Sequence, residues 1–266
     1  MRLLIDDPAD PRLDDIRDLN RSDAAGRRLV IAEGPLVVGR LLESRFPVRS
    51  IIGFGPKLDV LGALDAPTGI PQYEVTRETL AAVAGFDMHR GLLAVADRAP
   101  EPSVAEILAT ARTIVVLEGV GDHENIGAMF RNAAGMGVDA ILFGNGCGDP
   151  LYRRVVRVSM GHVLRLPYAH LDGSYTTWQR SLTELADAGF HLVSLTPDPE
   201  ATHLADALAG KDKVALLVGA EGPGLTEHAM RATDVRARIP MAPGTDSLNL
   251  ATAAAIAFYE RERSLR

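Results

Sequence analysis

Apolar and polar positions alternate in two successive patterns along the chain. Up to about residue 97, short apolar runs alternate with short stretches of helical spacing, as in a small α/β domain. Gly34-Pro35 and Gly55-Pro56 punctuate these runs, and Thr76 is placed to cap a helix. The pattern predicts strands at 27–31, 48–54, 73–75 and 91–96, and helices at 14–19, 36–42 and 77–82.

From Thr113 onward, strands and helices alternate regularly. This alternation predicts a mostly parallel sheet with helices on both faces. In such sheets, ligands bind beyond the carboxyl ends of the strands. The predicted strands are 113–117, 140–143, 163–166, 191–195, 213–218 and 235–239, and the predicted helices are 125–135, 152–160, 177–188, 226–232 and 247–263.

The two patterns are separated by a proline-containing stretch, Arg98-Ala99-Pro100-Glu101-Pro102-Ser103. Two prolines in three positions disfavour helix and hold the chain extended. We therefore predict a first domain over 1–98, a linker and lead-in over 99–111, and a second domain over 112–266.

Composition narrows the class of protein. The chain of 266 residues is 47% hydrophobic and has no long apolar run and no apolar N-terminal leader, so a cytoplasmic protein without a membrane segment is expected. The single cysteine excludes an intrachain disulfide, and the seven histidines form no metal-binding motif, so no metal is predicted. The net charge of −7 argues against non-specific nucleic-acid binding, although it leaves room for a local basic patch.

Three polar stretches fall at strand-to-helix junctions, and each also has a purely structural interpretation. Ser247-Leu248-Asn249-Leu250 opens an Ala-rich helix and places oxygens and an amide at its mouth, but these residues also suit a simple helix cap. The loop Gly219–Leu225 can approach a ligand closely, or it is a plain turn. Asn125 fits a helix cap, and Arg131 lies away from the apolar stripe of its helix, like an ordinary surface arginine.

A dinucleotide site is an alternative for the stretch Gly119-Val120-Gly121-Asp122-His123-Glu124, which follows a strand and precedes a helix, with Asp139 farther on. Glu124, however, stands where the motif needs a small residue. Its carboxylate would also meet the pyrophosphate at the helix N-terminus, which opposes this interpretation.

Taken together, three stretches resemble the signature motifs of the SpoU, or TrmH-type, RNA ribose 2′-O-methyltransferases in order and spacing. They are E-G-V-x-D-H-E-N-I-G-A-M-F-R-N-A, L-V-G-A-E-G-P-G-L and I-P-M-A-P-G-T-D-S-L-N-L-A-T-A-A-A-I, and they span about 115–257. The match departs mildly from the family pattern at Asp122-His123 and at Leu250-Ala251. The first domain resembles, more weakly, the ribosomal-L30-like substrate-binding domain through Arg17-Asp18-Leu19, Ala32-Glu33-Gly34 and His89-Arg90-Gly91.

The resemblance implies a fold, a cofactor and partners that periodicity does not reveal. It implies a deep trefoil knot in the C-terminal sheet (the SPOUT type), a homodimer built on the knotted domain, and S-adenosyl-L-methionine held by the knot loops. By motif position, the cofactor contacts would be Thr196, Gly219, Glu221, Ile239 and Leu248. The reaction centre would contain Asn125, Arg131, Glu221, Ser247 and Asn249.

The implied substrate is structured RNA, either ribosomal or transfer RNA, and the resemblance to the L30-like domain favours 23S ribosomal RNA. Basic residues to grip it are predicted at Arg27 and Arg28 in the first domain, and at Arg153, Arg154 and Arg157, which a helix would place on one face. Two other functions stay open: a non-catalytic RNA-binding or ribosome-assembly factor of the same fold, and the dinucleotide-dependent enzyme.

Overall fold

The structure, a computed structural model, describes residues 2–19, 29–61 and 69–266. The chain forms two compact units, one made of 1–100 with 151–165 and the other of 101–150 with 166–266. The first unit thus ends two residues beyond the predicted boundary at 98. The segment 151–165, which the sequence places in the second domain, belongs to the first unit instead.

The first unit is built on a five-stranded mixed sheet. Its strands are β1 (Arg2–Leu4), β2 (Leu29–Glu33), β3 (Val48–Gly53), β4 (Gln72–Glu74) and β5 (Leu92–Asp97), in the order β1-β4-β3-β5-β2. The pairs β1-β4 and β3-β4 are parallel, whereas β5 runs antiparallel to both β3 and β2. The accompanying helices are Pro35–Leu42, Gly55–Leu61, Arg77–Ala84 and Arg153–Val158, with a 3-10 helix at Pro11–Ile16.

The second unit is built on a seven-stranded sheet in which every pair of neighbours is parallel. Its strands are β6 (Thr113–Glu118), β7 (Ala140–Phe143), β8 (Tyr168–His170), β9 (His191–Leu195), β10 (Thr202–His203), β11 (Val214–Gly219) and β12 (Val235–Arg238). Their order is β10-β12-β9-β11-β6-β7-β8. The predicted α/β class and the large parallel sheet are confirmed.

Helices flank this sheet, and two of them matter most for the site. The site helix is His123–Gly135, and the C-terminal helix is Leu250–Ser264; the two pack against each other. The other helices of the second unit are Val104–Thr110, Leu182–Asp187, Leu204–Leu208 and Glu227–Arg231, with a 3-10 helix at Trp178–Ser181. Among the described residues, no helix is long and apolar enough to cross a membrane.

One predicted element was wrong in type. The residues 163–166 were expected to form a strand, but His162–Leu164 is a 3-10 turn that follows Gly161 at φ +83°, and the strand β8 starts after Pro167. Pro167 stands at the start of β8, an edge strand, where the missing N–H of proline is tolerated, and its carbonyl accepts from the backbone N–H of Ile141 at 3.1 Å. The strand therefore begins just beyond the proline.

Candidate functional site

A cavity of about 630 Å³ lies at the carboxyl ends of β9, β11 and β12. The chain segments that follow these strand ends supply most of its wall, as expected for an open parallel sheet. The C-terminal helix closes another side with its first residues. The lining comprises residues 195–197, 218–225, 230, 237, 239, 241, 247–250 and 253. The volume lies within the range of sites that enclose a small molecule.

The loop Gly219–Leu225, here called the site loop, folds back on itself against the cavity. The backbone N–H of Gly224 donates to the carbonyl of Ala220 at 2.9 Å, which closes the loop into a tight turn. A Cβ atom at Gly219 would overlap the backbone of Gly224 and Leu225, so only glycine fits there. The glycine at position 219 therefore allows the loop to pack onto its own first residue.

Asn249 lies at the centre of the polar side of the site. Its Nδ2 donates to Glu221 Oε1 on the site loop at 2.8 Å and to Asn125 Oδ1 on the site helix at 3.0 Å. Its Oδ1 accepts the backbone N–H of Thr252 at 3.2 Å and caps the C-terminal helix. One amide therefore joins all three motifs, and the structural interpretation of Asn249 as a helix cap is confirmed.

The prediction that Asn125 caps its helix is wrong. Asp122 is the cap, because its Oδ1 accepts the backbone N–H groups of Glu124 at 2.6 Å and Asn125 at 3.2 Å, so the helix begins at His123. Asn125 therefore lies within the first turn, where its buried side chain faces Asn249. Its amide oxygen therefore accepts from Asn249 instead of capping the helix.

The remaining predicted cofactor positions line the same cavity. Thr196 follows β9, Ile239 follows β12, and Leu248 precedes the C-terminal helix; Gly219 and Glu221 belong to the site loop. Ser247 lines the cavity as well and is exposed, but it lies before the helix instead of within it, since the helix begins at Leu250. Residues 119–124, the alternative dinucleotide segment, do not line this cavity.

Arg131 is not brought into this cluster. It is exposed on the site helix and does not line the cavity. Among the described residues, none forms a hydrogen bond or ion pair with its guanidinium group. Asn132, the next residue, faces the C-terminal helix instead and donates to the carbonyl of Ala251 at 3.1 Å. Arg131 is therefore an exposed cation with no ion-pair partner in the described part of the chain.

Sequence reasoning missed Glu118, the first letter of the first motif. This carboxylate ends β6 at 2% exposure, and three neighbours donate to it. Trp178 Nε1 and Gln179 Nε2 donate to Oε1 at 2.9 and 3.3 Å. Thr226 Oγ1 donates to Oε1 at 2.9 Å, and its backbone N–H donates to Oε2 at 2.7 Å. The sequence signal that could have indicated Glu118 is its position as a charged residue at the end of the apolar strand β6.

The predicted RNA-gripping arginines divide into three groups. Arg27 and Arg28 lie outside the described residues. Arg154 is exposed and Arg157 half-buried on the helix Arg153–Val158. Arg153 does not share their exposed face, because its side chain is only 10% exposed and its Nε lies 2.5 Å from Oε1 of the buried Glu33, within the first unit. It also stacks over the Phe86 ring at 4.7 Å, so it is engaged in the packing of the unit.

Cys147, the only cysteine, has a protected thiol. Its Sγ donates weakly to the carbonyl of Leu117 at 3.4 Å, and burial raises the pKa of the thiol from 9.0 to about 11.

We expect iodoacetamide at pH 8 to modify Cys147 about a hundredfold more slowly than the cysteine of the urea-unfolded chain, because the thiolate is the nucleophile. Equal rates would contradict this. The raised pKa also stabilises the folded state below pH 9.0, and that contribution is lost as the pH rises toward about 11.

Among the described residues, no group of three or more His, Cys, Asp and Glu side chains could hold a metal ion. The polar atoms at the cavity are instead amide, hydroxyl and carboxylate groups on three separate chain segments. These groups can donate hydrogen bonds to an organic ligand and accept them from it.

Comparison with known proteins identifies the class. Residues 112–259, more than half of the chain, match the SpoU rRNA Methylase family, and the chain therefore belongs to this family of RNA methyltransferases. An uncharacterized tRNA/rRNA methyltransferase of Mycobacterium tuberculosis is 55% identical over 265 residues, which cover 97% of this chain and 91% of that protein.

Two solved structures are similar over nearly the whole length. The S-adenosylmethionine-bound rRNA methyltransferase of Sinorhizobium meliloti has a TM-score of 0.80 and 25% identity, and the match covers 100% of this chain and 99% of that one. A structure described as an RNA 2′-O ribose methyltransferase has a TM-score of 0.77 and 28% identity, with 99% of each chain covered. The resemblance seen in the motifs is thereby confirmed.

Proposed function

We propose that this protein transfers a methyl group from S-adenosylmethionine to a ribose 2′-hydroxyl of structured RNA, more specifically 23S ribosomal RNA. The observation that supports this most is the amide of Asn249, which links Glu221 of the second motif to Asn125 of the first beside a cavity of suitable size. The similar structure described as an RNA 2′-O ribose methyltransferase supports the choice of the ribose hydroxyl.

The cavity suits the cofactor chemically. Its wall is largely apolar side chain and backbone, with few polar groups at one side, which is the usual character of small-molecule sites. We propose that Thr196, Gly219, Ile239 and Leu248 hold the cofactor, mainly through backbone groups, and that Glu221 braces the pocket. When bound, S-adenosylmethionine supplies the methyl group on a positively charged sulfur.

The residues of the chain contribute alignment above all. Holding two reactants in near-attack geometry lowers a barrier by about 7–11 kcal/mol. Asn249 fixes Glu221 and Asn125 in one arrangement, and Ser247 adds a hydroxyl at the rim of the same cavity. With the cofactor held there, the ribose oxygen would bond to the methyl carbon as the sulfur–carbon bond breaks, and the hydroxyl proton would pass to water.

Arg131 is proposed to grip the phosphate beside the target ribose and to lower the pKa of the 2′-hydroxyl. A guanidinium group keeps its charge at neutral pH, and its planar fork matches two phosphate oxygens. Arg131 is exposed and forms no ion pair with any residue that the structure describes, which supports a role toward RNA instead of toward a neighbouring side chain.

Replacing Arg131 with lysine tests this role. We expect Arg131→Lys to lower methyl transfer about tenfold, because lysine keeps the charge but loses the two-pronged contact. Single-turnover rates and RNA affinity measure the effect, and cofactor affinity should stay unchanged. Nearly full activity in the lysine variant would show that charge alone suffices.

We also propose that the C-terminal segment forms a trefoil knot and that the protein is a homodimer joined through this domain. Residues 239, 241 and 247–250 line one cavity together with 195–197 and 218–225, which supports a C-terminal segment that runs close to these loops. A mass near twice 28.4 kDa by light scattering is expected for the dimer, and a monomer would contradict it.

The first unit is proposed to be an L30-like domain that binds RNA in the cytoplasm. Arg154 and Arg157 are its candidate contacts among the described residues, together with Arg27 and Arg28 from the sequence. On the helix Arg153–Val158, Arg154 is exposed and Arg157 is half-buried.

Mapping ribose methylation in total RNA from cells with and without this gene tests the proposed function. Loss of one 2′-O-methyl group from 23S ribosomal RNA is expected. A lost base methylation or a lost transfer RNA site would correct the substrate. Calorimetric titration separates the alternatives: an assembly factor would bind RNA without S-adenosylmethionine, and a dinucleotide enzyme would bind NAD.

A further inference from the structure

We infer that Glu118 is a positioning residue that fixes both ends of the site loop and thereby sets cofactor affinity. This inference rests on the proposed function only in naming the ligand of the cavity. Glu118 pairs with Gly219, where the loop begins, and accepts from Thr226, the residue just after the loop.

The beginning of the loop is held through the backbone. Glu118 and Gly219 are register partners in the parallel pair β6-β11, and each is the last residue of its strand. The loop therefore leaves the sheet directly beside Glu118. Since Gly219 is also packed against Gly224 and Leu225, a shift at this point would be transmitted into the turn.

The end of the loop is held through the carboxylate. Thr226, the residue after the loop, donates both its backbone N–H and its hydroxyl to Glu118, and its own Oγ1 accepts the backbone N–H of Ala229 at 3.2 Å. Thr226 thus caps the helix Glu227–Arg231 while it is bound to Glu118. Between these two anchors, the loop carries Glu221, which accepts from Asn249.

The carboxylate is well suited to this task because it only accepts. Four donor groups converge on its two oxygens, and they come from Trp178, Gln179 and Thr226. A glutamine would place an NH₂ group against at least one of these donors, and buried donors without an acceptor are costly. Glu118→Gln therefore changes the hydrogen bonds while leaving the shape of the side chain nearly the same.

Asp139 offers a matched control at the opposite end of the same strand. Its Oδ2 accepts the backbone N–H groups of Arg112 and Thr113, both at 2.8 Å, where β6 begins. Asp139→Asn makes the same carboxylate-to-amide change at an anchor of β6, but it does not touch the site loop. A general loss of strand stability should affect both variants, whereas a positioning role should appear only in Glu118→Gln.

Two readouts test the inference on the full-length protein. Hydrogen–deuterium exchange of the 219–226 amides needs no ligand, and we expect faster exchange in Glu118→Gln but not in Asp139→Asn. Calorimetric titration with S-adenosylmethionine should show a Kd raised about tenfold in Glu118→Gln, an unchanged Kd in Asp139→Asn, and unchanged RNA affinity in both. The fluorescence emission of Trp178, the only tryptophan, should also change in Glu118→Gln, because the indole Nε1 donates to the Glu118 carboxylate.

Milder variants cover the case in which Glu118→Gln does not fold. Thr226→Val loses the hydroxyl and should raise the Kd about threefold, whereas Thr226→Ser keeps the hydroxyl and should bind like the wild type. Equal loop exchange and equal Kd in the Glu118 and Asp139 variants would overturn the inference, as would a Thr226→Val variant indistinguishable from the wild type. If the wild type does not bind S-adenosylmethionine but Glu118→Gln alone loosens the loop, the proposed function fails and the positioning role stands.

Discussion

Replacing Asn249 with alanine is expected to reduce methyl transfer about a hundredfold, because misplacing a reacting group by about 1 Å costs this much. The amide of Asn249 holds Glu221 and Asn125, which lie on two separate chain segments, in one arrangement. The variant also loses its helix cap, so its free energy of unfolding should fall by about 1 kcal/mol. Single-turnover kinetics with saturating cofactor and RNA measure the first effect, and urea unfolding measures the second.

Two further variants separate the site from the cap. Asn249→Asp retains a good N-cap for the backbone N–H of Thr252, but it presents a second carboxylate to Glu221, so we expect nearly wild-type stability with activity as low as that of the alanine variant. Asn132→Ala removes another asparagine bond between the site helix and the C-terminal helix, away from the cavity, and should retain activity. Full activity in Asn249→Asp would contradict the assigned role.

The part of the fold that sequence could predict is the part set by local pattern. Buried strands such as β3, β7 and β9 are short apolar runs bounded by turn residues, and their predicted limits differ from the observed ones by at most one residue. The cavity at the carboxyl ends of the strands follows from parallel topology, which in turn follows from the alternation of strands and helices. Local rules were sufficient for these features.

What escaped prediction depends on distant partners or on local signals that were not used. Arg153 looked like a surface arginine, since nothing near it in sequence reveals that Glu33, 120 residues earlier, is buried beside it. The role of Glu118 likewise depends on Thr226, which lies 108 residues away. By contrast, the helix Val104–Thr110 lay within the predicted linker although Ser103 and Glu106 form a capping box that the sequence displays.

Among changes outside the site, we expect Arg261→Met to cause a large loss of stability, about 2–4 kcal/mol. Arg261 is 1% exposed near the end of the C-terminal helix, and burial lowers the pKa of its guanidinium. Its Nε donates to Thr113 Oγ1 at 3.0 Å, and its Nη1 and Nη2 donate to the carbonyls of Lys211 and Asp212, both at 2.6 Å. Methionine fills much of the same space but leaves these acceptors without a donor.

Urea unfolding of the variant checks this expectation, with Arg263→Met as the matched control two residues along the same helix. Arg263 pairs with Glu260 at 2.6 Å but is 62% exposed, so its loss should cost less than about 1 kcal/mol. Arg261→Lys should recover only part of the stability, because one ammonium group cannot reach acceptors that the guanidinium spans with three nitrogens. Equal losses at 261 and 263 would show that the buried hydrogen bonds contribute little, and that apolar contacts such as those of Phe258 and Ala254 hold the helix in place.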